Sequence, residues 1–267
     1  NVDGPCYQLR PLGVNVLCAQ DSRILIHHMI NCSYVDCPPE VVSCPGCRHA
    51  VFDGEFIWAA SYSTGEVHKI SLERTYLPMG GPTYPADAPF YPNPISPVIT
   101  NSYDVGSNPS GIEFDGEKIW VANTNDDTVS VLDSSDGSTL ATLQVGDAPG
   151  KVLFDGQDIW VLNVNDETVT KISSETLQEL GEFSVGNQPN DISFDGKYIW
   201  VANKGSDSIS VLRLTDGDLV DTISLTGAPY FLQFDGIGTW VATKETQPAV
   251  STRTKTIEGE RWFITRY

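Results

Sequence analysis

The residues best equipped for chemistry in this chain are cysteines, carboxylates and four histidines, and their spacing limits what each can do. Cys44-Pro45-Gly46-Cys47 is followed by Arg48 and His49. Haem attachment needs Cys-x-x-Cys-His, and Arg48 stands where that His would be. A zinc site could draw on Cys32, Cys37, Cys44 and Cys47, and a redox pair would need a helix N-terminus to lower one thiol's pKa. This segment instead leads into a strand. Disulfides are the preferred reading. All six cysteines (Cys6, Cys18, Cys32, Cys37, Cys44 and Cys47) lie in the first 47 residues. An even number in a loop-rich segment reads as a disulfide framework from an oxidising compartment. A hairpin turned at Pro11-Leu12-Gly13 places Cys6 opposite Cys18, so that pair is expected to bond.

The carboxylates recur with a period. Asp53, Asp115, Asp155, Asp195 and Asp235 each stand in Phe-Asp-Gly, one per repeat. Asp-Gly is a preferred hairpin dipeptide, so this placement points to turns rather than to acid–base work. Asn125-Asp126-Asp127, Asn165-Asp166-Glu167 and Ser206-Asp207 fall in later turns. Such oxygen-rich clusters can hold Ca²⁺, yet no EF-hand spacing is present and Asx turns use the same residues. No other cofactor is expected. His49 and His68 fall at or near repeats, His27 and His28 in the Cys-rich part, and the repeats after residue 100 contain no His. Most of the chain thus lacks the usual general base. Gly-x-Ser-x-Gly, His-Glu-x-x-His and phosphate-loop motifs are absent, and no catalytic, cofactor-binding or metal residue is assigned.

The elements that carry these residues are set by an internal repeat. Trp58, Trp120, Trp160, Trp200 and Trp240 give the register, the last four spaced by 40 residues and the first gap being 62. Asn123, Asn163 and Asn203 follow the Trp by three residues, and Val67, Val129, Val169 and Ile209 by nine. Gly106, Gly146 and Gly186 precede Pro109, Pro149 and Pro189. In one copy, Asp191–Phe194, Tyr198–Ala202, Ser208–Leu212 and Val220–Leu225 read as four strands divided by turns. The second is apolar enough to be buried on both faces, and the third and fourth alternate. Four antiparallel strands in some forty residues make a β-propeller blade. The expected fold is all-β: a five-bladed β-propeller of four-stranded antiparallel blades, with six blades as the alternative. The aromatic pair of each blade, such as Phe194 and Trp200, is expected to fill the space between neighbours.

Residues 201–211, Val201-Ala202-Asn203-Lys204-Gly205-Ser206-Asp207-Ser208-Ile209-Ser210-Val211, resemble the YVTN-type propeller repeat of bacterial and archaeal surface proteins. So do Val129–Asp133 and Leu143–Pro149. The resemblance covers roughly residues 48–243, and it speaks to architecture because the repeated positions are structural. More distantly, the pattern is similar to the virginiamycin B lyase propeller, whose enzymes work with histidines and a metal near the axis.

Two segments depart from the repeat. Residues 1–48 form a Cys-rich, disulfide-stapled β segment, with Tyr7–Arg10, Val14–Ala19 and Arg23–Ile30 read as a three-stranded meander. It could be a cap, a set of closing strands or a degenerate blade, and residues 49–267 form the propeller. A Pro-rich insertion at about 75–97 carries Tyr76, Tyr84, Phe90 and Tyr91, the expected partner contacts. So much Pro disfavours strand pairing there and favours either a packed loop or an extended arm. Arg261–Thr265 reads as an outer strand.

Asp+Glu number 35 against Lys+Arg 16, a formal charge of −19. That argues against nucleic acid and anionic lipid as partners, and no apolar run is long enough to cross a bilayer. A start at Asn1 rather than Met reads as a processed or excised chain. Asn31-Cys32-Ser33 is a glycosylation sequon, so a glycan is an admissible partner. The expectation is a secreted, extracellular or cell-surface propeller without enzyme activity. Its role would be structural or protein-binding, with self-association into a filament or layer; the alternative is a lyase or carbohydrate-active enzyme.

Overall fold

The computed structural model describes residues 8–12, 15–20, 23–28, 40–74, 95–244, 254–257 and 260–266, with side chains over 43–71 and 98–244. The described residues form strands and turns only, so they include no helix long and apolar enough to cross a membrane. The contacts divide the chain into residues 1–104 and 105–267.

The first unit holds two four-stranded antiparallel sheets. The N-terminal sheet comprises β1 (Gln8–Leu12), β2 (Asn15–Gln20), β3 (Arg23–His28) and β4 (Glu40–Ser43). The expected meander is present and gains a fourth strand, because Glu40-Val41-Val42-Ser43 pairs with Arg23–Ile26. β1 and β2 pair in a register that sets Leu12 opposite Asn15 and Leu9, rather than Cys6, opposite Cys18. Cys6 lies outside the described residues.

The first repeat sheet follows: β5 (Cys47–Phe52), β6 (Phe56–Ser61), β7 (Glu66–Arg74) and β8 (Ile95–Asp104). Within this unit β1 and β2 lie against β5, and β4 lies against β8. β7 and β8 are longer than any other strands, and their pairing runs on to Leu72↔Pro97 and Arg74↔Ile95. The last residues of the insertion, 95–97, therefore lie in a paired strand. Pro97 is tolerated because β8 is an edge strand, where a missing N–H interrupts no ladder.

The second unit repeats the pattern four times. Its sheets are β9 (Pro109–Phe114) to β12 (Thr139–Gln144), β13 (Pro149–Phe154) to β16 (Glu179–Ser184), and β17 (Pro189–Phe194) to β20 (Leu219–Ser224). The last comprises β21 (Ala228–Phe234), β22 (Thr239–Lys244), β23 (Thr254–Ile257) and β24 (Glu260–Arg266). In that sheet the order is β21-β22-β24-β23. The C-terminal strand thus takes the third place, and β23 takes the edge that Arg261–Thr265 was expected to form. A chain returning inward from β23 pairs Arg266 with Trp240 and brings the C-terminal end beside the sheet's middle.

Second strands such as Asp158–Asn163 are buried throughout, while the outer strand Glu179–Ser184 alternates between exposed and half-buried. The first strands β9, β13, β17 and β21 of successive sheets lie side by side. Cores form between sheets. Trp120 packs with Val152, Ile159 and Phe154 of the next sheet, and Trp160 with Ile192, Ile199 and Phe194. Cross-strand register explains the division: Trp200 faces Ser193 and Ile199 faces Phe194, so the two aromatics of one blade point to opposite faces. Trp120 and Trp160 therefore each meet the Phe of the following sheet.

Candidate functional site

The repeated aspartates are fully engaged by their own turns. Asp155 Oδ1 accepts the backbone N–H groups of Gln157 and Asp158 at 2.8 and 2.7 Å, and Oδ2 accepts the Trp160 indole N–H at 2.7 Å. The same three bonds recur at Asp53, Asp115, Asp195 and Asp235, with indole distances of 2.6–2.8 Å. The glycine that follows takes a left-handed φ each time, 101° at Gly156, which a side chain disfavours. One carboxylate thus closes the hairpin and satisfies the buried tryptophan's only donor.

A second repeated latch lies at the other end of the three sheets β9–β20. Asn163 is buried and its Nδ2 donates to Thr168 and Thr170 at 3.0 and 2.8 Å. Asn123 binds Thr128 and Ser130, and Asn203 binds Ser208 and Ser210, in the same way. The amide lies tight against the incoming chain: a Cβ on Gly146 would come within 2.6 Å of Asn163 Nδ2. The turn acids serve here too. Asp126 accepts the Ser107 N–H at 2.6 Å, Asp127 the Ala148 N–H at 3.0 Å, and Asp166 the Asp147 N–H at 2.7 Å. Asp127, Glu167 and Asp207 adopt left-handed φ of 55°, 57° and 47°, a periodic turn geometry rather than a local strain.

The first repeat sheet rebuilds this latch from different residues. Cys47 pairs with Ser61 as Pro109, Pro149 and Pro189 pair with Asn123, Asn163 and Asn203. Cys44 therefore occupies the place of Gly106, Gly146 and Gly186, and Ser61 that of the Asn. Gly46 holds the left-handed position, φ 76°, that Asn108, Ala148 and Gln188 hold elsewhere. His68, opposite Ala59, stands where Ser130, Thr170 and Ser210 accept the Asn amide. Four columns change together, and the changes fit one another: Ser61 is shorter than Asn and leaves space for the Cys44 side chain.

Cys44 and Cys47 form a disulfide, and both are wholly buried. A His68 ring nitrogen and the two sulfurs lie within 4.8 Å of one another. His68 Nδ1 is 2.7 Å from Ser102 Oγ on β8. Burial pushes the imidazole pKa below its ordinary value, opposed by the charge of Glu66. Ser61 Oγ donates to the Pro45 carbonyl at 2.7 Å, and Ser63 Oγ donates to the same oxygen at 3.3 Å. This is the one group of three metal-ligating side chains that comes together among the described residues.

One further buried charge is structural. Lys171 Nζ lies 3.2 Å from Asp158, donates to the Leu214 carbonyl at 2.8 Å and sits 4.9 Å above the Trp160 ring. In the first repeat sheet the equivalent Lys69 lies over the rings of Phe56 and Trp58.

Of the expected site residues, only Cys44 and Cys47 have described side chains. Cys18 lies in β2 without a described side chain, while Cys6, Cys32, Cys37, Tyr76, Tyr84, Phe90 and Tyr91 lie outside the described residues. His68 was not expected to join the cysteines. The signal was present in the sequence: aligning the repeats column by column sets Cys-x-x-Cys over Gly-x-x-Pro, Ser over Asn and His over Ser or Thr.

No protein-family model matches this sequence, and no curated protein matches it. Solved structures match by shape. A protein from Bacteroides uniformis ATCC 8492, described as a candidate 6-phosphogluconolactonase, has TM-score 0.64 and 12% identity, over 90% of this chain and 81% of that one. A protein of the same description from Bacteroides fragilis NCTC 9343 has TM-score 0.62 and 21% identity, covering 81% and 69%. Hydrazine synthase from Kuenenia stuttgartiensis has TM-score 0.60 and 18% identity, covering 89% and 68%. At such identities the likeness is one of fold, and the fold is of the β-propeller type.

Proposed function

We propose that this chain is a non-enzymatic propeller that acts outside the cell as a structural or protein-binding module, and that it associates with itself into a filament or layer. The observation that carries this reading is the use of the repeated polar residues. The Phe-Asp-Gly carboxylates are taken up by turn amides and indoles, and the Asn Nδ2 groups by neighbouring hydroxyls, so the repeat builds scaffold. Contacts with a partner then fall to the parts that break the repeat. These are the N-terminal sheet and the arm carried by the lengthened β7–β8 hairpin, which bears Tyr76, Tyr84, Phe90 and Tyr91. In this reading the five Trp-bearing sheets are blades of the YVTN type, and the four-stranded N-terminal sheet, laid along β5 and β8, is a further blade.

Negative-stain electron microscopy and light scattering across concentration test the proposal. The full chain is expected to assemble, and a chain with residues 75–94 replaced by Gly-Gly to remain monomeric. A strict monomer across concentration, ionic strength and pH would defeat it.

The likeness to candidate 6-phosphogluconolactonases favours a second reading, an enzyme on a phosphorylated sugar lactone. Hydrolysis of 6-phosphogluconolactone above the spontaneous rate, lost on mutation of a single side chain, would establish it in place of the first.

A further inference from the structure

We propose that Cys44, Cys47 and His68 form a redox-gated site for a thiophilic d¹⁰ cation of the Zn²⁺ or Cu⁺ class, closed by the disulfide and opened by a dithiol reductant. The argument rests on placement. Two sulfurs and a ring nitrogen, from the turn before β5, from β5 and from β7, lie within 4.8 Å of one another, all three side chains buried. Cys-x-x-Cys is the spacing with which one turn supplies two thiolates to a single ion, and sulfur with imidazole is a donor set for zinc and copper rather than for calcium. Ser102 holds the His68 ring through Nδ1 at 2.7 Å, the kind of outer hydrogen bond that fixes a ligating imidazole.

Two features separate this cluster from an ordinary structural disulfide. The first is His68. A disulfide needs no third group, and the regular repeats place Ser or Thr in that column, so the histidine is an addition beside the sulfurs. The second is the loss of the Asn latch. The three regular repeats fasten this end of the sheet with an amide, whereas here Ser61 holds the incoming turn through the Pro45 carbonyl and the sulfur pair closes that turn. An ion bound by both sulfurs and the imidazole would fasten the same chain ends when the disulfide is reduced. Gly46, between the two cysteines, lies against Ser63 of the exposed turn that joins β6 and β7.

The chemistry balances simply. A dithiol passes two electrons and two protons to the Cys44–Cys47 bond and becomes a disulfide, leaving two thiols. The cation displaces both thiol protons, and His68 supplies its lone pair without losing a proton. Three protein donors leave the fourth position of a tetrahedral ion to water or a small anion.

The test uses the full chain, oxidised or reduced with dithiothreitol that is then removed without oxygen. Co²⁺ alone is the probe, followed by its thiolate charge-transfer absorption, with Zn²⁺ as competitor. The reduced chain is expected to bind with a band that the oxidised chain lacks and that Zn²⁺ abolishes. Cys44→Ser/Cys47→Ser should remove this band, whereas His68→Gln should weaken binding at least tenfold. A band unchanged in the double serine variant would assign the metal to other cysteines and overturn the proposal, as would unchanged affinity in His68→Gln. Circular dichroism covers the case in which reduction unfolds the chain. Metal present during reduction should then preserve the fold in a His68-dependent way, and unfolding regardless of metal would also overturn the proposal.

Discussion

The first repeat sheet and the three regular sheets β9–β20 share one end of their architecture and differ at the other. At the Phe-Asp-Gly end, Asp53 and Asp155 make the same bonds to two turn amides and one indole. At the opposite end, the set of Gly, Asn, Pro and Ser or Thr in the regular repeats becomes Cys44, Ser61, Cys47 and His68. A column that never changes is serving the hairpin and the core. Columns that change together, with sizes that compensate, have been re-used for something else.

The largest effect expected on this comparison is at the buried lysine of the regular repeat. Lys171→Met leaves Asp158 buried without its partner and should cost about 3–5 kcal/mol by chemical denaturation. The Asp158→Asn/Lys171→Met pair should recover much of that, since the neighbouring sheets carry Val131 and Val211 opposite their tryptophans. Next comes the shared end. Asp155→Ala and Asp53→Ala should each cost about 2–3 kcal/mol, because a buried indole loses a charged acceptor. Unequal costs would show that the common end is not common. The Cys44→Ser/Cys47→Ser variant should lose about 2 kcal/mol, the loop-closure contribution of so short a ring. That loss should be insensitive to the state of the regular sheets.

The smallest effect is a pH slope confined to the first repeat. His68 has a folded pKa lowered by burial, so the unfolded chain takes up a proton first as pH falls below about 6.5. Stability present above that pH is therefore lost progressively as pH falls toward the folded value. Glu66 opposes the shift and Ser102 pairs the ring without titrating. Melting temperatures from pH 8 to 5 should fall less steeply for His68→Gln, while Thr170→Ser in a regular sheet should leave the slope unchanged.

The repeat made the four-stranded sheets legible because Trp, Phe-Asp-Gly and Gly-x-x-Pro recur in fixed register. It located the turns, the doubly buried second strands and the left-handed glycines. It did not reveal that Asp155 holds Trp160, since a contact at five residues' separation across a hairpin has no periodic signature of its own. The sheet order at the C-terminus was also hidden, because β23 and β24 have lost the repeat residues and only pairing shows that β24 lies inside. Pro97 misled for a physical reason: proline bars an inner strand but not an edge. The Cys-x-x-Cys motif was plain, whereas its histidine lies 21 residues beyond Cys47 and becomes a neighbour only through the β5–β6–β7 pairing.

The central claim is that the first repeat's substitutions form one concerted exchange of the latch. A double-mutant cycle in a regular sheet measures this directly. Gly146→Ala alone should cost about 2 kcal/mol, because its Cβ is driven against the Asn163 amide. In an Asn163→Ser background, which copies Ser61, the same substitution should cost roughly half as much, a coupling of about 1 kcal/mol. An equal cost of Gly146→Ala in both backgrounds would contradict the account.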